Sequence, residues 1–146
     1  MITVGRLAEI FLELQGQGAN NINLVPPTHY VPQIIDALEL AKREGLRLPV
    51  VYNTSGYERV ETLRMLRGYV DIYLPDFKYL DEELAREYSH APDYPAYAKS
   101  ALKEMVSQTG EFRMDEATGL LKRGVVVRHL VLPGKTKNSK EVIRYL

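Results

Sequence analysis

The stretch DIYLPDFKYLD, residues 71–81, decides how the rest of the chain is read. It opens as an apolar strand, ends at Pro75, and then sets Asp76 and Lys78 two residues apart with Phe77 between them. In an extended chain that spacing puts both charges on one side and Phe77 on the other. Opposite charges at the end of an apolar strand form either a plain ion pair or a clamp for something else, so the neighbouring segments must decide.

Working outward, residues 70–75 are one of four such strands. The others are NINLVPP (21–27), closed by two prolines that cannot donate to a ladder, PVVYNTSG (49–56) and VVVRHLVLPG (125–134). Helical spacing fills the intervals. Leu7, Ile10, Phe11 and Leu14 predict a helix over 4–17 with Thr3 as its N-cap, and a second runs from Pro32 to Glu44 with Gly45 as its stop. Val60, Leu63 and Leu66 mark a third that ends at Gly68. Asp81 caps a short helix through Tyr88, and a longer one runs from Asp93 to Gly110. FRMDEATGLLKRG reads as a small hairpin turning at Thr118–Gly119, and Asn138 with Glu141 resembles the capping box of a last helix.

Strands alternating with helices predict βαβ units and a mostly parallel sheet, hence an α/β fold in one domain over residues 1–146. A closed barrel of eight such units takes about 250 residues, so four strands make about half of one. A small open doubly wound sheet is the alternative. The chain opens and closes on a helix, which leaves the outer edge of the first strand without a partner. A partial (β/α) barrel of about four parallel strands with flanking helices explains that better, and the open edge predicts self-association.

Composition narrows the function. Nineteen basic and nineteen acidic residues cancel, so no bulk field points to nucleic acid or an anionic membrane. The basic run GKTKNSKE (134–141) reads as a solvated loop. There is no cysteine, which excludes disulfides, thiolate zinc sites and cysteine-held iron–sulfur clusters within this sequence. No apolar stretch approaches the ~20 residues of a bilayer span, and MITVGRLAEI lacks a secretory layout, so a cytoplasmic domain is expected.

All four strands end in polar residues: VPPTHY, YNTSGY, LPDFKY and RHLVLPG. Ligands of parallel α/β folds sit at the C-terminal edges of strands. Thr28, His29, Asn53, Thr54, Ser55, Asp76, Lys78 and Arg128 should therefore converge on one rim. His29, His90 and His129 are too scattered for a three-histidine metal site. A hydrolase triad of Ser55, His29 and Asp76 lacks the G-x-S-x-G elbow. GQGANN (16–21) has no strand before it and is not a phosphate loop. Lys78 could serve as a Schiff-base lysine in an aldolase-like barrel, since a desolvated strand-end lysine has a lowered pKa. A non-catalytic binding module, with the polar groups only holding loops, is the remaining alternative.

In order, VVYNTSGYE (50–58), VDIYLPDFKYLDEEL (70–84) and VVVRHLVLPG (125–134) resemble three strand-end segments of the radical S-adenosylmethionine activating enzymes. The nearest type is the pyruvate formate-lyase activating enzyme and its uncharacterised iron–sulfur relatives. The motifs are T-x-G at Thr54–Gly56, D-x-K at Asp76–Lys78 and R-x-x-x-x-P-G at Arg128–Gly134. The resemblance implies that the strand ends hold S-adenosylmethionine over a [4Fe–4S] cluster. It assigns Asn53, Thr54, Asp76 and the Leu74 carbonyl to the surroundings of the methionine carboxylate and an associated cation. Lys78 would touch that carboxylate, and Arg128 the nucleoside side or a protein substrate. Pro27, Thr28 and His29 stand where the family has G-G-E, whose backbone receives the amino group.

A zwitterion of this kind needs a cation for its carboxylate and acceptors for its ammonium. Three departures accompany the resemblance. The family's C-x₃-C-x₂-C cluster loop and the strand before it are not in this sequence, which is expected to begin just downstream of them. Asn53 replaces an aspartate, which removes a charge but keeps an oxygen. Pro27 replaces a glycine, which removes an N–H. The implied partners are a small-molecule cofactor, a protein substrate and an electron donor, with the cluster supplied from elsewhere.

Overall fold

The computed structural model describes residues 2–146. Helix α1 (Val4–Gly16) begins at Thr3, whose Oγ1 accepts the Arg6 N–H at 3.1 Å. Strand β1 (Ile22–Leu24) leads into a single 3₁₀ turn at Thr28–Tyr30 and then α2 (Val31–Arg43). Strand β2 (Val50–Thr54), α3 (Val60–Met65) and β3 (Ile72–Pro75) follow. Asp81 caps α4 (Glu82–Ser89) by accepting from the N–H groups of Glu83 and Leu84. Helix α5 (Tyr94–Thr109), β4 (Arg113–Met114), β5 (Leu121–Val125) and α6 (Thr136–Tyr145) complete the chain.

The five strands form one open sheet in the order β1-β2-β3-β5-β4. Strands β1, β2, β3 and β5 run parallel, and the two-residue β4 pairs antiparallel with β5 through the hairpin turn at Gly119. The α/β class and the mostly parallel sheet are as expected. The sheet does not close on itself.

Alternation along the strands sorts the core. Ile22, Leu24, Val50, Tyr52 and Tyr73 point to one face and pack with Ala8, Phe11, Leu38, Leu63, Leu66 and Met105 from the helices. Phe77 and Tyr79 continue that face and join Leu84, Tyr94, Ala98 and Val142 in a second cluster. Both clusters lie on the same side, so the helices cover one face of the sheet. A side chain such as Leu63, fully buried there, contributes about 1.5–3 kcal/mol by leaving water. The opposite face carries Asn23, Val51, Asn53, Ile72 and Leu74 in register. A concavity of about 240 Å³ opens on it, lined in part by Val51, Ile72, Leu74, Leu121 and Val126.

The sequence reading needs correction in three places. The strand expected over 125–134 is paired as β5 from Leu121 to Val125. Its polar start is tolerated because Arg123 reaches out of the sheet and donates to the Thr109 and Gln108 carbonyls at the end of α5, at 2.6 and 2.9 Å. Past Val125 the chain stays beside β3 only as far as Arg128, through Val126 N–H to Tyr73 O, Arg128 N–H to Pro75 O and Phe77 N–H to Arg128 O. Second, Asn138 is not the cap of α6: Lys135 holds that position, and Asn138 lies buried within the first turn. Third, the basic run over 134–141 is mostly helix rather than loop, since α6 begins at Thr136. No helix among the described residues is long and apolar enough to cross a membrane.

Candidate functional site

Pairing of β2 with β3 puts Asn53 opposite Leu74, and an isolated parallel bridge puts Asp76 opposite Arg128. Partners in a parallel register point to the same face, so Asn53, Asp76 and Arg128 emerge together at the C-terminal edge of the uncovered face. Arg128 Nε donates to Asp76 Oδ1 at 2.9 Å, and Nη2 lies 2.8 Å from the same oxygen as an ion pair. Nη2 also donates to Asn53 Oδ1 at 2.8 Å. Lys78 Nζ lies 3.8 Å from the other Asp76 oxygen, Oδ2. Asp76 and Lys78 thus form a loose ion pair, and Arg128 takes the better half of the carboxylate. Two cations share one carboxylate, which leaves a positive charge at a rim whose side chains are 24–48% exposed.

Thr54 and Thr28 do not join this group, contrary to the expected convergence. Thr54 is one residue past Asn53, so its side chain points to the helix face, where it is 2% exposed. Its hydroxyl donates to Glu58 Oε1, and Thr28 Oγ1 donates to the same oxygen at 2.7 Å. Glu58 is itself 2% exposed. Pro27 is buried and accepts the Tyr30 N–H in the 3₁₀ turn, while His29 and Ser55 are exposed. Leu74 lines the concavity below Asn53. His129 belongs to the frame. Its Nδ1 donates to Phe77 O at 2.7 Å, which leaves Nε2 to pair with Ser139 Oγ at 2.9 Å.

Tyr94, Asn138 and Glu58, which the sequence reading did not single out for the site, hold it in place, with Gly56 making room. Tyr94, the first residue of α5, is buried, and its hydroxyl lies 2.9 Å from Asp76 O and 3.0 Å from Ser55 O while accepting the Lys78 N–H at 3.1 Å. Burial pushes its phenol pKa well above the ordinary value. Gly56 makes that crossing possible: a Cβ there would sit 2.1 Å from Asp76 O, and its φ of +78° is one that glycine adopts without strain. Asn138 accepts the Leu80 N–H and donates to Lys78 O, both at 3.0 Å, so α6 pins the segment that carries Lys78. Glu58 joins the ends of β1 and β2. In sequence Tyr94 is one aromatic among ten tyrosines, and Asn138 reads as a cap. A glutamate two residues after the Gly56 turn carried no sequence signal of burial.

No family model matches the chain. A Methanocaldococcus jannaschii protein described as uncharacterised is 29% identical over 117 residues, 79% of this chain. The chain spans 29% of the length of that relative. No solved structure matches.

Proposed function

We propose that this chain forms the S-adenosylmethionine-binding portion of a radical S-adenosylmethionine enzyme of the pyruvate formate-lyase activating type, built as a sector of a (β/α) barrel. The observation that carries the reading is the meeting of Asn53, Asp76, Lys78 and Arg128 at one strand edge, from segments up to 75 residues apart. Those are residues that the three resembling segments supply. Their surplus positive charge suits a carboxylate, and Lys78, the less tightly paired cation, is the one free to receive it. Asp76 Oδ2, facing Lys78 across a long contact, is left as an acceptor for positive charge on the same guest.

Helices on one face alone also favour a barrel sector over a doubly wound sheet, which would carry them on both. In the family resembled, S-adenosylmethionine supplies a 5′-deoxyadenosyl radical on reductive cleavage. Here the residues at hand fit its amino-acid end. They do not fit the [4Fe–4S] cluster, because the sequence has no cysteine to ligate one. The hydrogen donor attacked, a protein substrate, and the electron source belong to the same proposal. The Schiff-base alternative is less favoured, because the Lys78 side chain is 31% exposed and faces a carboxylate rather than an apolar wall.

Titration calorimetry with S-adenosylmethionine tests the reading. Binding to the unaltered chain should be lost, roughly tenfold or more in affinity, in Asp76→Ala and in Lys78→Ala. An unaltered chain that takes up no S-adenosylmethionine, or variants that bind as well as it does, would overturn the proposal.

A further inference from the structure

The neutral total hides a segregation of charge. Residues 121–146 hold seven basic residues against one acidic, Glu141, while residues 1–120 hold twelve against eighteen. Four of the seven cations sit on α6 or at its start: Lys135, Lys137, Lys140 and Arg144. The buried face of α6 consists of Asn138, Ser139 and Val142, and the two polar residues are bonded to the Lys78 segment and to His129. Lys137, Lys140 and Arg144 recur at i, i+3 and i+7, which sets them in one stripe on the side opposite Val142. All three are exposed, Lys137 at 91% of its side chain. Lys137 reaches Glu141 only at 3.9 Å, and no ion pair among the described residues includes Lys140 or Arg144. The stripe also works against its own helix. Lys135 at the N-cap makes no side-chain cap bond, and the first turn has no acidic residue. Lys137 therefore faces the positive end of the helix dipole, and Lys140 and Arg144 repel each other at i, i+4. Local rules broken with no gain inside the fold mark a surface whose gain lies outside it.

We infer that the outer face of α6 docks an acidic segment of a partner protein, whose carboxylates pair with Lys137, Lys140 and Arg144. Complementary charge across an interface steers the encounter and fixes its register. Ile143, exposed beside the stripe, gives such a segment an apolar contact that a row of phosphates would not use. Glu141 borders the other side and would repel a nucleic-acid backbone. An anionic membrane is a poorer match, because a helix binds there by inserting its apolar face, and Val142 is turned inward onto the Phe77 and Tyr79 cluster. The inference rests on no reading of what the strand-end rim binds.

The test is fluorescence anisotropy of a labelled amphipathic peptide of glutamate and leucine titrated with the full chain. Its glutamine counterpart, a single-stranded DNA oligonucleotide and phosphatidylserine vesicles serve as the competing probes. The acidic peptide should bind in preference to all three, and its affinity should fall about tenfold or more between roughly 50 and 300 mM salt as screening tightens. The combined substitution Lys137→Gln, Lys140→Gln and Arg144→Gln should lower that affinity about tenfold or more and leave Tm unchanged or raised, since exposed charges of this kind add little to the fold. No binding of the acidic peptide, equal binding of the glutamine peptide, or tighter binding of the oligonucleotide or the vesicles would overturn the inference. So would a substituted chain that binds as well as the unaltered one, or one whose Tm is clearly lowered, which would make the stripe part of the fold.

Discussion

Asn53 and Thr54 are adjacent, yet they belong to regions with opposite physical character. Asn53 faces the uncovered side of the sheet and meets Arg128, Asp76 and Lys78 in a solvent-touched group. Thr54 faces the helices and is sealed against Glu58. The pleat of a single strand separates groups free to exchange partners from groups locked into the frame. Substitutions in the first set should cost little stability, and those in the second should cost more.

The hardest blow to the frame is Gly56→Ala. A methyl group 2.1 Å from Asp76 O, at a positive φ, forces the β2 and β3 exits apart and should cost about 3 kcal/mol or more in chemical denaturation. Because Asp76 moves with its carbonyl, this substitution should damage the rim as well. It is the one change expected to blur the two regions.

Tyr94→Phe comes next. It keeps the ring stacked near Tyr57 but strands the Lys78 N–H, at about 1–3 kcal/mol. It also sharpens a pH dependence. Tyr52, Tyr73 and Tyr94 are all raised above the ordinary value of 10.0, mainly by burial. A raised pKa means that the folded chain holds its phenol protons more tightly than the unfolded one. The contribution is fully present below about pH 10 and is lost as pH climbs toward the folded values. Denaturation midpoints should fall above pH 10, and less steeply in Tyr94→Phe.

Smallest in stability is Arg128→Ala. Its side chain is 48% exposed, so its loss should cost no more than about 1 kcal/mol. Its effect should appear in ligand affinity and salt dependence, since Asp76 is then left to Lys78 alone. A large loss of stability in this variant would place Arg128 in the frame and dissolve the distinction.

Much of this architecture was legible from spacing. Apolar periods located the helices and the parallel strands, Thr3 and Asp81 announced their caps, and the polar strand ends placed Asn53, Asp76, Lys78 and Arg128 at one edge. What was not legible depended on which face a residue takes when its strand meets its neighbours. Thr28 and Thr54 looked equivalent to Asn53 because a hydroxyl at a strand end reads as ligand-facing until register assigns its side. The true start of β5 was masked by Lys122 and Arg123, whose charge argues for a loop unless the end of α5 is known to receive the guanidinium. Asn138 could not be distinguished from a cap, because its two partners lie about 60 residues away in sequence.

The most direct test is residue-resolved NMR on titrating the chain with S-adenosylmethionine. The Asn53 side-chain amide, the Arg128 Nε–H and the backbone amides of Asp76 and Lys78 should shift together along one saturable curve, with Thr28 and Glu58 following weakly. Shifts absent from those four groups, or concentrated on the helix face instead, would contradict the account.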